Sequence, residues 1–357
     1  MARPSDWRTK LTQDVLFEAV DLLIKGCPAE AVAKKFSPLL GEAFTRQQVY
    51  KLLNIAAAQN LLVVQPPHVD SITEKLIAAH GIPRNSLRVV GVRGKNAIEH
   101  LATSTADLLF SLVMNLKRER SKKTVHIAVG SGRSTNLVCA RLGAKLHAEL
   151  ARPNIVIHAL TGGWDSGTLV SPVSHFSHFQ FTDQDEPSVE FVNLSVPPLV
   201  PVEDFSGIRN LPFIRDAFER FSEVDIVVSS IGNRHDDHCT FAEAMNLRWV
   251  REYGNPKKKL DQQGWVGDIQ YLPYNELGPI EMGGLKACVL MSFADLVKMA
   301  QLADKFVVVL VGPCGRCGKS KAPALLPLVS SVKLRVFSHL VLDLTTGEDL
   351  LRSGGAG

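Results

Sequence analysis

The stretch Thr124–Leu142, TVHIAVGSGRSTNLVCARL, constrains the fold more than any other. The apolar run Val125–Val129 suits a strand buried on both faces of a parallel sheet. The chain then turns through Gly130-Ser131-Gly132-Arg133-Ser134-Thr135 into a helical pattern carried by Leu137, Val138, Ala140 and Leu142. A small-residue turn between strand and helix leaves backbone N–H groups free at the positive end of the helix, where phosphate or carboxylate is held. Arg133 and the hydroxyls of Ser131, Ser134 and Thr135 can add charge-assisted contacts. A plain turn that holds nothing is the competing interpretation, since every α/β domain contains several.

The 357 residues suffice for two domains, one with a sizeable core. A net charge of +4 implies no general affinity for polyanions, so nucleic-acid binding would need a local motif. No apolar run approaches a membrane span, and the start MARPSDWRTK lacks a signal peptide's apolar core. Cysteines 27, 139, 239, 288, 314 and 317 are scattered through the chain, as expected of reduced thiols. A cytoplasmic protein without a membrane partner is expected.

Residues 1–66 predict a winged helix-turn-helix. Residues 11–26 and Pro28–Phe36 carry helical apolar spacing, and SPLLGEAF is expected to be a loop. Thr45 is placed as N-cap, with Gln48 as capping-box partner, of a third helix, TRQQVYKLLNIAAAQN. LLVVQPP reads as a short strand. Thr45, Arg46, Gln47, Tyr50 and Lys51 are the candidate DNA-binding residues, with Arg and Gln suited to base edges and Lys and Tyr to phosphates. Eight Lys/Arg against six Asp/Glu over these residues supply little charge, and a partner-binding helical cap would also be polar outside.

Residues 69–80 predict a linker helix, within a connecting segment 67–85. The remainder, 86–357, is expected to be one α/β domain with a mostly parallel, Rossmann-like sheet. Its strands are 87–92, 124–129, 154–160, 188–194, 224–231, 287–291, 305–311 and 333–342. Ligands of such sheets sit at the C-terminal strand ends. Four ends here are polar or Gly-rich: Gly130–Thr135, Thr161-Gly162-Gly163, Gly232-Asn233-Arg234 and GPCGRCGKSK with Lys319 and Lys321. Convergence of Arg133, Arg234 and Lys321 would suit a phosphorylated or polyhydroxylated small molecule.

Other motifs are weaker. GPCGRCGKS fails as a P-loop, because the residue five before Gly318 is Pro313 rather than glycine. Cys314-Gly-Arg-Cys317 could be half a zinc site or a redox pair, but a zinc site needs two more ligands and no second C-x-x-C exists. His235-Asp-Asp-His238-Cys239, with His175 and His178, has ligand-rich composition that a polar loop would share. No catalytic residue, metal or cofactor is assigned from the sequence.

With these residues laid out, the chain resembles the SorC family of sugar-sensing transcription regulators, related to the DeoR type. GCPAEAVAKKF…TRQQVYKLLNIAAAQNLLVV is similar to the family's helix-turn-helix and strand, and IAVGSGRSTNLVCARL to its strand–GxGR–T turn. LTGG (160–163), DIVVSSIGN (225–233), GWVGDI (264–269), the loop before KAPAL (321–325) and HLVLDLTTGEDLL (339–351) follow in the family's order. The resemblance implies an operator-DNA-binding protein, a homodimer or homotetramer. Its larger domain would have the fold of sugar-phosphate isomerases and coenzyme A transferases and bind a phosphorylated sugar. Carried over, Gly130, Gly132, Arg133, Ser134 and Thr135 would hold phosphate or hydroxyls. Gly162 and Gly163 would line the pocket, with Arg234 beside it; Asp268 would accept sugar hydroxyls and Lys321 would pair with phosphate. SPLLGEA and the cysteine-bearing loop depart from the pattern. The alternatives are an isomerase-like or transferase-like enzyme using Asp268 or Glu276, and a degenerate domain that only oligomerises.

Overall fold

The computed structural model describes residues 7–41, 44–59, 61–62, 67–94, 96–149, 151–163, 171–180 and 188–354. The chain forms two compact units, Met1–Gln65 and Pro66–Gly357.

In the first unit, a short 3-10 turn at Trp7–Lys10 precedes helices Gln13–Ile24, Ala29–Leu40 and Arg46–Ala58. The first helix is N-capped by the Thr12 hydroxyl, which accepts from the Val15 N–H at 3.3 Å. Leu16, Val20, Val32, Phe36, Leu40, Phe44, Val49 and Leu52 close the core, with Trp7 edge-on to Phe44. Two expectations are corrected here. The second helix runs on to Leu40 through Pro38, so the first half of SPLLGEAF is helix rather than loop. Ser37 and Leu40 keep the helical register because Leu40 is buried and Ser37 Oγ donates to Ala33 O at 2.6 Å and Phe44 O at 3.1 Å. Nor does Thr45 form a capping box, since its hydroxyl meets the Gln48 side chain and bonds no helix amide. The strand expected in LLVVQPP falls mainly at 63–66, outside the described residues, while 61–62 form a bend.

The second unit is a nine-stranded sheet with a separate two-stranded one. Among the described residues its strands are β1 Leu87–Val90, β2 Thr124–Val129, β3 Asn154–Ala159, β4 Val189–Val192, β5 Leu199–Pro201, β6 Ile226–Asn233, β7 Gly267–Ile269, β8 Leu272–Tyr274, β9 Leu285–Ala287, β10 Phe306–Val311 and β11 His339–Asp343. The main order is β1-β11-β10-β6-β2-β3-β4, all parallel, with β7 and β8 added antiparallel at the end of β6. Val307–Val311 and Val125, Ile127, Ala128 and Val129 are buried, which requires cover on both faces. Helices Ala97–Arg120 and Arg133–Ala148 pack on each other and on the sheet, as do Ala322–Ser330 and Leu344–Gly354. Helix Asp70–His80 packs on β1 and on Leu344–Gly354, and ends at Gly81 with φ 57°. Arg335 donates to the free carbonyls of His80 and Gly81 at 2.8 and 2.9 Å.

Strand order from β2 proceeds outward through β3 to β4, and from β6 the other way through β10 to β11. The reversal lies between β2 and β6, which leaves a crevice at their C-terminal ends. ACVLM contributes only Ala287 to a strand, and 333–338 precede β11 as a 3-10 turn and loop.

Ile127 is fully buried in β2, paired with both β3 and β6. Ile127→Ala should therefore cost about 2–5 kcal/mol. Urea unfolding of the full chain followed by far-UV circular dichroism measures this, and a loss below about 1 kcal/mol would contradict the packing described.

Candidate functional site

The crevice holds a cleft of about 650 Å³, counting its open mouth. Its walls come from the three adjacent strand ends: Ser131–Ser134 after β2, Ser230–Gly232 in β6 and Pro313–Gly315 after β10. Asp236, His238–Thr240, Asp268, Gln270 and Lys321 complete it.

Gly132, with φ 112°, precedes Arg133, the first residue of the helix Arg133–Ala148. The unpaired amides and positive end of that helix thus face the cleft. Arg133 is half-exposed, 3.8 Å from Glu243, which also lies 3.9 Å from Arg316. Across the cleft, Lys321 Nζ donates to Ile231 O at 2.7 Å.

The floor comes from an element absent from the expectations. β6 runs past the level of β2, and its last residues Ile231, Gly232 and Asn233 pair with Ile269, Asp268 and Gly267 of β7. The β7–β8 connection is Gln270-Tyr271, with φ 51° and 63°. Tight hairpin turns need such positive φ values, normally supplied by Asn or Gly. Both side chains are instead committed to the site. Gln270 Oε1 accepts from Ser131 N–H at 2.7 Å, and its Nε2 donates to Ser229 Oγ at 2.8 Å. Tyr271 is buried, its hydroxyl next to the Thr240 and Ser131 side chains.

Asp268 is 4% exposed, yet its Oδ1 has no partner among the described residues. A Cβ on Gly232 would stand 1.9 Å from that oxygen, so glycine is what lets the carboxyl lie there. Burial raises the Asp268 carboxyl to about 7, opposed by the Tyr271 amide and by Lys321. A buried carboxyl that lines a cleft with two cations can take a hydroxyl or another hydrogen-bonding group.

Of the expected ligand-holding residues, Gly132, Arg133, Ser134, Asp268 and Lys321 come together on this wall. The others are placed elsewhere. Gly130 lies behind it: a Cβ there would be 2.3 Å from Gln270 Nε2, so the glycine makes room for Gln270. Thr135 is buried and its hydroxyl bonds Ser131 O at 3.3 Å. Arg234 turns away to Asp261 at 3.3 Å. Gly162 and Gly163 end β3, where the chain is closed over: Gly162 N–H donates to Cys288 O at 2.7 Å, and a Cβ on Gly163 would be 2.4 Å from Ser171 Oγ. Glu276 sits exposed on a turn, off the cleft wall. Gln270, Asp236, His238 and Cys314 were not expected there, and only the ligand-rich composition of 235–239 and 314–317 signalled the last three.

Two groupings of ligand-type side chains occur among the described residues. Asp236, His238, Cys314 and Cys317 meet at the cleft rim. His126, His158 and Glu223 meet at the other end of β2, where burial drives the His158 imidazole down to about 3. His175 and His178 join neither; both bond Asn136 Oδ1, at 3.0 and 2.9 Å.

In the first unit, Thr45, Arg46, Gln47, Tyr50 and Lys51 are all exposed at the start of helix Arg46–Ala58. Arg46 pairs with Glu30 at 2.8 Å and lies 5.9 Å from the Tyr50 ring centre. It is therefore held by its own unit rather than extended.

No protein-family model matches the sequence, and no curated protein sequence matches it. Solved structures do match. The full-length sorbitol operon regulator SorC from Klebsiella pneumoniae superposes with TM-score 0.60 at 13% identity, over 95% of this chain and 98% of that one. The chain has the fold of the SorC regulator. A DeoR family transcriptional regulator from Listeria monocytogenes gives TM-score 0.55 at 16% identity, over 78% of this chain and 98% of that one. A transcriptional regulator from Streptococcus pneumoniae gives 0.57 at 14%, over 80% and 97%. The expected fold class, a helical N-terminal unit followed by a mostly parallel α/β domain of SorC type, is thus observed. No helix among the described residues is long and apolar enough to cross a membrane.

The raised Asp268 value predicts a pH-dependent stability. Below the ordinary value of 3.8 both folded and unfolded chains hold the proton; from there to about 7 only the folded chain does. Stability should therefore fall as pH rises through that window and level off above it, with a limiting slope of about 1.4 kcal/mol per pH unit. Asp268 faces Lys321, Tyr271, Tyr274 and Cys239. Asp268→Asn should flatten the fall, so that the variant gains on the wild type as pH rises from 4 to 7. Parallel unfolding curves across that range would contradict the buried, protonated carboxyl.

Proposed function

We propose that the protein is a DNA-binding transcription regulator whose operator affinity is set by a phosphorylated sugar held in the cleft. The observation that carries this reading is the cleft's set of donors and acceptors: Arg133, a helix N-terminus and Lys321 beside an unpartnered Asp268 oxygen. Phosphate brings close to two negative charges, costly to bury without fixed cations and amide donors. Arg133 supplies a planar fork and Lys321 a point charge. At neutral pH the Asp268 carboxyl, near its midpoint, can either accept from or donate to a sugar hydroxyl.

The likeness to a full-length sugar-operon regulator over 95% of the chain supports joining this cleft to a DNA-reading unit. Boundaries of 1–66 for that unit, 67–85 for a connecting segment and 86–357 for the effector domain follow from the same reading. So do a homo-oligomer, usual among regulators of palindromic sites, and work in the cytoplasm. Binding without turnover is proposed: among the described lining residues the other carboxylate, Asp236, is taken up in the rim cluster with His238, Cys314 and Cys317, and Glu276 lies outside the cleft.

The effector reading is tested by a thermal-shift screen of sugar phosphates, then calorimetry with the best ligand. Arg133→Ala and Lys321→Ala should each weaken that ligand roughly ten- to a hundredfold, about 1.5–3 kcal/mol, leaving DNA binding by the unliganded protein intact. Normal binding by both variants would remove the effector from this cleft.

The DNA reading is tested separately, on duplexes selected from a random pool by the purified protein. Arg46→Ala and Gln47→Ala should each cost about 1–3 kcal/mol on the selected site, whereas Lys51→Ala should weaken all duplexes and lower the salt slope by about 1. Unchanged binding in all three would sink the assignment of Arg46–Ala58 as the recognition helix.

A further inference from the structure

Cys314-Gly-Arg-Cys317 is no longer half a site once the chain is folded. The segment 233–239, which follows β6, lies against the loop 313–321 that follows the adjacent β10, and this supplies the two missing ligands. One ligand atom from each of Asp236, His238, Cys314 and Cys317 lies within 4.8 Å of one from each of the others. We propose that these four side chains form a tetrahedral Zn²⁺ site that clamps the two loops at the rim of the cleft.

The spacing agrees with that geometry. Zinc bonds of about 2.3 Å to sulfur and 2.0–2.1 Å to nitrogen or oxygen, at tetrahedral angles, put S and N or O about 3.5 Å apart and N and O about 3.4 Å apart. Observed separations are 3.9 Å for Cys314 Sγ to His238 Nδ1, 3.7 Å for Cys317 Sγ to Asp236 Oδ1, and 3.4 Å for His238 Nδ1 to Asp236 Oδ1. Closing these three pairs on an ion requires movements of a few tenths of an ångström.

The four groups lie in partly buried, hydrogen-bonded surroundings. Cys314 Sγ accepts from the amides of Arg316 and Cys317, the pattern that a C-x-x-C turn offers to a metal-bound sulfur. Asp236 is 2% exposed and Cys314 7%, and burying a carboxylate against two thiols and an imidazole gains little unless an ion joins them. The loops are already stitched around the site: Lys319 Nζ donates to His235 O at 2.6 Å, Asn233 Nδ2 to Ser320 O at 2.8 Å, and His238 N–H to Asp236 Oδ1 at 3.0 Å. Two thiolates and an imidazole favour zinc over magnesium or calcium, and four protein ligands make the site closed and structural. This inference does not depend on the effector reading.

Full-length protein, expressed with zinc in the medium and purified under reducing conditions, should carry stoichiometric zinc by elemental mass spectrometry. Cys314→Ser/Cys317→Ser should reduce zinc to background, and Asp236→Asn or His238→Ala should weaken it at least tenfold in competition with a chelating dye. Because a variant could fail for want of folding, the wild-type chain is also loaded with Co²⁺. Intense visible ligand-field bands and a thiolate-to-cobalt charge-transfer band, roughly halved in Cys317→Ser, would report tetrahedral coordination by both sulfurs. Zinc content unchanged in the double serine variant would overturn the proposal. So would wild-type protein that takes up neither metal after full reduction, including the case where Cys314 and Cys317 prove to be only a reversible disulfide pair.

Discussion

The cleft depends on the overrun of β6. A parallel strand in such a sheet normally stops at the level of its neighbours and hands the chain to a helix. Here Ile231, Gly232 and Asn233 continue outward and take on β7 as an antiparallel partner. That pairing puts Asp268 opposite Gly232 and, one turn later, Gln270 under the β2 turn. Two non-glycine residues at positive φ cost of order 1–3 kcal/mol each, and they persist because the surroundings fix them: Gln270 by Ser131 and Ser229, Tyr271 by Ser131 and Thr240. Residues from four separate stretches are thereby held to one geometry, with strain located at the site rather than in the core.

Much of the larger domain was legible because a parallel sheet writes itself as uninterrupted apolar runs. Val125–Val129 and Phe306–Val311 could hardly be anything else, and strand-then-glycine correctly marked the ends of β2 and β10. The β7–β8 hairpin was not legible. Gly267-Asp268-Ile269 and Leu272-Pro273-Tyr274 are too short for alternation to register, and Gln270-Tyr271 is an unfavourable turn sequence that no propensity rule would choose. For the same reason three glycines are expected at the ligand when they serve protein neighbours. Gly130 yields to Gln270, and Gly162 and Gly163 to the segments packed over β3. A glycine in a strand-end turn announces a close approach without saying by what.

The helical unit shows the opposite imbalance between local and tertiary signals. Proline and glycine at Pro38 and Gly41 argued for a loop over the whole of SPLLGEAF. Burial of Leu40 against Phe36 and Phe44 outweighs one lost helical hydrogen bond near the helix end, and the helix continues until Gly41, at φ 102°, turns it. The connection to Arg46 shortens accordingly, towards the tight turn of a helix-turn-helix.

The rim cluster bears on the cleft through order rather than charge. With neutral thiols and imidazole and an ionised carboxylate, Asp236, His238, Cys314 and Cys317 carry one net negative charge. Zinc with two thiolates, one carboxylate and one neutral imidazole also carries one, because two protons leave as the divalent ion arrives. The field that a phosphate placed between Arg133 and Lys321 would feel is thus nearly the same with or without the metal. What changes is the freedom of two loops, 233–239 and 313–321, one carrying cleft-lining Asp236, His238 and Cys239 and the other Cys314, Gly315 and Lys321. Ordering long side chains and loop backbone on binding costs of order 1 kcal/mol for each immobilised side chain, and a clamp that imposes this order beforehand would remove that cost from the affinity of a ligand in the cleft. Metal at this rim would therefore preorganise the cleft without competing for an anion there.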